Sequence, residues 1–124
     1  VALYDETTWL PGSPWLNGID PGSVGDPIRG AVAIGADAIS PGYSNPYGLT
    51  PADPDFALVA DRAYVDRAHG LGLSVIPWTI NDAATMNAQI DAGADGIITD
   101  YPTLLRQVMA DRGMQLPPAY RKTL

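Results

Sequence analysis

Few side chains in this sequence can move a proton or hold a metal. His69 is the only histidine, which excludes any site that needs two. Glu6 is the only glutamate, and cysteine is absent, so thiolate metal centres, cysteine nucleophiles and disulfide scaffolds are excluded. Aspartates, asparagines and aromatic rings remain. Asp100 ends the apolar run Gly96–Thr99, and Asn81 and Asp82 follow the run Leu73–Thr79. Polar groups at strand ends can orient a substrate group or cap the next helix, and capping is the preferred reading for all three. Asp37 and Asp95 stand where strands begin, at the opposite end, and read as turn formers. His69 falls in the last turn of a helix, where it meets the helix C-terminus, and reads as structural. A Gly-rich phosphate cradle after the last strand is disfavoured. Thr99-Asp100 stands there, and a carboxylate repels phosphate.

The aromatic residues are the stronger candidates. Trp78 ends a strand and carries an N–H that wants a partner, which suits either a pocket wall or core filler. Tyr43 and Tyr47 lie in one long Pro-rich loop, Ser40 to Asp55, and Trp9 and Trp15 in another, Asp5 to Asp26. Both loops follow strands. They either wall a small-ligand site or cover the sheet end and pack on each other, and the residues alone do not separate these readings. Tyr43 joins Trp78 as a candidate substrate-binding residue.

The elements that must carry these residues alternate. Apolar runs at Val1–Tyr4, Ala36–Ser40, Leu73–Thr79 and Gly96–Thr99 suit parallel strands buried on both faces. Helical patterns fall between and after them, over Pro27–Ile34, Ala57–His69, Ala83–Ala92 and Pro102–Arg112. In the second, Ala57, Ala60, Tyr64, Val65, Ala68 and Leu71 share one arc, and Gly70 and Gly72 end it. Asp82 reads as the N-cap of the third, Pro102 as a first-turn proline of the fourth. Gly35-Ala36-Asp37-Ala38-Ile39 recurs as Gly93-Ala94-Asp95-Gly96-Ile97, an offset of 58 residues, or two units of 29. An eight-unit (β/α) barrel has a pitch of about 31. The pattern fits half of such a barrel, and equally a small four-strand doubly wound sheet.

Composition bounds the partners. The chain has 124 residues, 46% of them apolar and 17% charged, which is one globular domain. A net charge of −7 argues against nucleic acid. No apolar run is long enough to span a membrane as a helix. The compartment is left open between cytoplasmic and secreted. Val1 begins a strand with no preceding methionine or leader, so a piece of a longer polypeptide is expected.

Two stretches are specific: Val75-Ile76-Pro77-Trp78-Thr79-Ile80-Asn81-Asp82 and Gly93-Ala94-Asp95-Gly96-Ile97-Ile98-Thr99-Asp100-Tyr101-Pro102. In this order and spacing they resemble the last two strands of the glycerophosphodiester phosphodiesterase family. Ala68-His69-Gly70-Leu71-Gly72-Leu73 resembles the family's helix into the seventh strand. The resemblance runs from about Ala57 to Gly113.

It implies an α/β fold, the C-terminal half of a (β/α)8 TIM barrel with four βα units. Residues 1–113 would form the half-barrel and 114–124 a tail that is either disordered or docked under the barrel. The resemblance also implies hydrolysis of glycerophosphodiesters to glycerol phosphate and an alcohol. The family uses a divalent metal, calcium or magnesium, held by carboxylates, and a pair of histidines. Those motifs belong to the N-terminal half and do not occur here, so this chain is expected to bind no metal and to be inactive alone. Its partner would be the missing N-terminal half-barrel or a second copy. Trp78 carries over to the pocket wall, facing glycerol or head group. The alternative is a non-catalytic half-barrel that self-associates as a binding or assembly module.

Overall fold

A computed structural model describes residues 1–118 of the chain. Three parallel strands form one sheet in the order β1 (Ala2–Tyr4), β2 (Ala38–Pro41) and β3 (Ser74–Val75). Helices α1 (Pro21–Val24) and α2 (Pro27–Ala33) follow β1, α3 (Arg62–Gly70) follows β2, and α4 (Ala83–Asp91) and α5 (Pro102–Asp111) come after β3. The parallel pairing runs beyond the strand labels. Ser74, Ile76 and Trp78 donate their backbone N–H groups to the carbonyls of Asp37, Ile39 and Pro41, and Tyr43 donates to Trp78.

The fourth run, Gly96–Thr99, lies beside β3 without forming a regular strand. Asp95 donates to Val75 O and Ile98 to Pro77 O, so this segment advances three residues where β3 advances two. Ile98 O then accepts from Ile80, one residue beyond regular spacing. Pro77 has no N–H to give the ladder. A proline and two register offsets thus explain why the run expected to be a strand is an irregular one.

Aspartates start the helices. Asp20, Asp26, Asp61 and Asp82 each accept a backbone N–H from the first turn of α1, α2, α3 and α4. The helix expected from Ala57 begins only at Arg62. Residues 57–59 are taken by the preceding loop, where Asn45 donates to Ala57 O and Val59 to Tyr43 O. A shared stop closes the longer helices. Gly35, Gly72, Gly93 and Gly113 all have positive φ, and the residue after each donates five residues back, to Ala31, Ala68, Gln89 and Met109. The repeated pentapeptide seen in the sequence is this stop followed by entry into the sheet.

The core lies between sheet and helices. Ile39, Val75, Val65, Ala68 and Ala60 are fully buried together, with Ala2 and Tyr4 against them. Each large apolar side chain buried there contributes about 1.5–3 kcal/mol. A second cluster, Tyr43, Ile80, Met86 and Val108, joins the loop to α4 and α5. Since Ala2, Tyr4, Ile39 and Val75 face the helices, alternation turns Leu3, Ser40 and Ile76 to the other face. Of the expected tail, Met114 donates to Met109 O and Arg106 donates to Pro117 O, which ties its first residues to α5. Residues 119–124 lie outside the described residues. No described helix is long and apolar enough to cross a membrane.

Candidate functional site

Strand order and direction bring the ends of β1, β2 and β3 to one rim. Trp78 sits there, half-buried. Its indole Nε1–H donates to Ser40 O at 2.9 Å, so its hydrogen-bonding capacity is spent inside the fold and its ring is what it presents. Tyr47 meets that ring with centroids 5.2 Å apart and an angle of 42°. The Tyr47 hydroxyl accepts from Thr79 N–H at 3.3 Å. Tyr43 stands behind Tyr47 in an edge-on contact, centroids 5.3 Å apart. It is buried among Ile80, Met86 and Val108, and its hydroxyl donates to Leu49 O. Burial raises the Tyr43 phenol pKa above its ordinary value. Gly42 permits the cluster: a Cβ there would lie 3.3 Å from Tyr47 and 3.7 Å from Trp78. Tyr47 was one of several loop aromatics in the sequence, and only the fold singles it out.

A polar pair lies three residues beyond Trp78. The Asn81 side-chain nitrogen donates to Asp100 Oδ2 at 3.0 Å, while its Oδ1 accepts from Asp100 N–H at 3.0 Å and from the Thr99 hydroxyl at 3.3 Å. The expected helix caps are therefore corrected for two of the three residues. Asp82 does cap α4, through Thr85 N–H. Asp100 does not cap α5, which has Tyr101 at its N-cap and no side-chain cap bond. Asn81 captures the carboxylate first, because the parallel pairing sets residue 81 beside residue 100.

At the end of β1, Asp5 is consumed locally. Its Oδ1 accepts from the Thr7 hydroxyl and from the N–H groups of Thr7 and Thr8. The Thr7 hydroxyl contributes most to holding its carboxyl below the usual range. Among the described residues, no three His, Cys, Asp or Glu side chains gather closely enough to hold a metal ion.

His69 and Asp95 lie at the opposite end. His69 Nε2 is 2.7 Å from Asp95 Oδ2, which also accepts from Val75 N–H at 2.8 Å. The pair ties the end of α3 to the entry of the fourth run. Asp95 is thus more than a turn former: it is the anchor of His69.

A cavity of about 210 Å³ opens at the free edge of β1, lined by Leu3, Trp9, Trp15, Ile19 and Ile34. Trp9 closes on Gly30, where a Cβ would lie 2.8 Å from the indole.

Residues 27–104 match the profile of the Glycerophosphoryl diester phosphodiesterase family. The dermonecrotic toxin LsSicTox-alphaIA1 of Loxosceles similis is 36% identical over 92 residues, 73% of this chain and 31% of the toxin. The glycerophosphodiester phosphodiesterase of Bacillus subtilis (strain 168) is 40% identical over 58 residues, 46% of this chain and 19% of that protein. A solved structure, described as a glycerophosphoryl diester phosphodiesterase from Silicibacter pomeroyi DSS-3, superposes with a TM-score of 0.63 at 23% identity. It covers 93% of this chain and 32% of its own. The chain therefore spans about a third of the length of the toxin it matches. The consecutive parallel βα array is part of a (β/α)8 barrel. With the family profile covering most of the chain, including the Trp78 strand and the Asp100 turn, the chain belongs to the glycerophosphoryl diester phosphodiesterase family.

Proposed function

We propose that this chain is the C-terminal half-barrel of a metal-dependent glycerophosphodiester phosphodiesterase, residues 1–113 forming the half-barrel and 114–124 its tail. The complete protein hydrolyses glycerophosphodiesters to glycerol phosphate and an alcohol. The observation that carries the reading is the Trp78–Tyr47 pair at the strand-end rim, within the stretch that matches the family. Trp78 and Tyr47 offer the glycerol or head group an apolar, ring-lined wall. Tyr43 acts from behind as a positioning residue for Tyr47, and Asn81 holds the Asp100 carboxylate where it can orient a substrate hydroxyl.

The upstream half supplies the carboxylates for calcium or magnesium and the two histidines. The described residues of this chain do not offer such a donor set, and no metal-borne step is assigned to them. A bound divalent cation would neutralise phosphate charge there. The chain's own part is to bind, orient and exclude water.

The test is glycerophosphocholine hydrolysis with added calcium or magnesium. The chain alone should give no turnover, and supplying the upstream half, fused or as a separate chain, should restore it. In that complemented enzyme, Trp78→Ala should lower kcat/KM about ten- to a hundredfold. Robust turnover by the 124 residues alone would overturn the division of labour. The second reading, a non-catalytic module that self-associates, draws on a separate observation: Val1, Leu3 and Ile98 are exposed at the array's two edges.

A further inference from the structure

A proline interrupts the seam between β2 and β3 just where Trp78 is carried. Ile76 donates to Ile39 O and Trp78 to Pro41 O. In a parallel ladder the rung between these two runs from the N–H of residue 41 to Ile76 O. Proline has no N–H, so that rung is missing. The Ser40 hydroxyl takes its place and donates to Ile76 O. Ser40 is fully buried, and a carbonyl left without a donor there is costly.

The same residue serves Trp78 directly. Ser40 O accepts the indole Nε1–H at 2.9 Å, beside the Tyr4 N–H of the β1–β2 ladder. Trp78 N–H goes to Pro41 O, and Trp78 O accepts from Tyr43. The backbone and indole polar groups of Trp78 are therefore all held by Ser40, Pro41 and Tyr43. Gly42 pairs with Trp78, and alternation puts Ser40, Gly42 and Trp78 on one face of the sheet. The Ser40 hydroxyl is turned into the seam and Gly42 has no side chain, which leaves that face clear for the ring. A Cβ at Gly42 would lie 3.7 Å from the indole.

We infer that Ser40 is a positioning residue for Trp78, and that its hydroxyl acts by standing in for the N–H that Pro41 withholds. Tied to Ile76 O, it keeps β2 and β3 in register at the missing rung. It thereby fixes the carbonyl to which the indole is bonded. This role in binding rests on the reading of Trp78 as a wall of the substrate pocket. The ring is set before substrate arrives, so binding does not have to order it.

Hydrogen exchange of the indole N–H groups, followed by nitrogen–proton correlation spectra, tests this independently of catalysis. The chain has three tryptophans, and Trp78→Phe assigns the signal of interest. Ser40→Ala should speed exchange of the Trp78 indole about fivefold or more and leave Trp9 and Trp15 unchanged. Pro41→Ala returns the missing N–H, and in that background Ser40→Ala should change the Trp78 exchange by less than about twofold. Should Ser40→Ala alone unfold the chain, Pro41→Ala should refold it, and a double variant that stays unfolded counts against the inference. In the enzyme complemented with its upstream half, Ser40→Ala should raise KM for glycerophosphocholine about three- to tenfold with kcat within about twofold, and Pro41→Ala should restore it. A Trp78 indole unmoved by Ser40→Ala, one accelerated no more than Trp9 and Trp15, or an equal loss with and without Pro41 would overturn the inference. So would an unchanged KM in an enzyme that Trp78→Ala impairs. If Trp78→Ala leaves turnover intact, the pocket-wall reading fails instead, and indole exchange alone decides the role of Ser40.

Discussion

Tyr47 reaches Trp78 across the mouth of the sheet, their ring centroids 5.2 Å apart, and returns a hydroxyl to the backbone of the strand that carries Trp78. Ring contact and backbone bond act on one short segment, so loop and strand end are held together. A double-mutant cycle of Tyr47→Ala and Trp78→Ala, read by chemical denaturation, should give a coupling of about 0.5–1.5 kcal/mol. Trp78→Phe keeps a ring but removes the indole bond to Ser40 O, which still accepts the Tyr4 N–H in the β1–β2 ladder, and should cost about 0.5–1.5 kcal/mol.

Gly30 and Trp9 form a second close fit. An added Cβ at residue 30 would stand 2.8 Å from the indole. Alanine is the better helix former by about 1 kcal/mol, yet Gly30→Ala should destabilise by about 1–3 kcal/mol because Trp9 must move. The sign should reverse in a Trp9→Ala background, where only the helix propensity remains. Thermal unfolding of the four proteins checks it.

Asp82 and Asp100 separate a cap from a tertiary tie. Asp82→Ala removes bonds to Thr85 N–H and to the Thr85 hydroxyl, and should cost about 0.5–2 kcal/mol, recovered by Asp82→Ser. Asp100→Ala should leave α5 helicity unchanged, since that helix has no side-chain cap, and should instead release the Asn81 side chain. Amide chemical shifts at residues 81 and 103–105 distinguish the two.

Acid should loosen the end opposite the candidate site. Burial disfavours the Asp95 carboxylate, but the hydrogen bonds from His69 and Val75 N–H outweigh it and hold its pKa below the ordinary value. Asp26, which caps α2 toward the other end near Tyr4, has its pKa lowered in the same way: burial opposes, while Arg67 and the Arg29 N–H win. A carboxylate whose pKa is lowered by folding stabilises above the unfolded value, about 3.9, and that contribution fades as pH falls through the folded one. Urea midpoints should therefore separate Asp95→Asn from the unsubstituted chain at about pH 6 and converge toward about pH 2. A constant separation would show that the substitution acts through packing alone.

Residue order alone carries whatever neighbours along the chain decide. Alternating apolar runs and helical stripes, the cap at Asp82, the glycine stops and the paired motifs of the Trp78 and Asp100 stretches depend on spacings of a few residues, and all were readable. Four elements in a row also fitted two folds equally. Tertiary structure chose between them, by pairing each strand only with its sequence neighbours. It also decided that residues 57–59 pair with the loop rather than begin α3, that Pro77 and two register offsets leave the fourth run irregular, that Asn81 takes Asp100 from α5, and that the ring of Tyr47 rather than that of Tyr43 packs on the Trp78 ring. Each of those outcomes is a competition for one hydrogen-bonding group or one patch of apolar surface between partners far apart in sequence. Local pattern names the competitors, and only the folded chain brings them within reach.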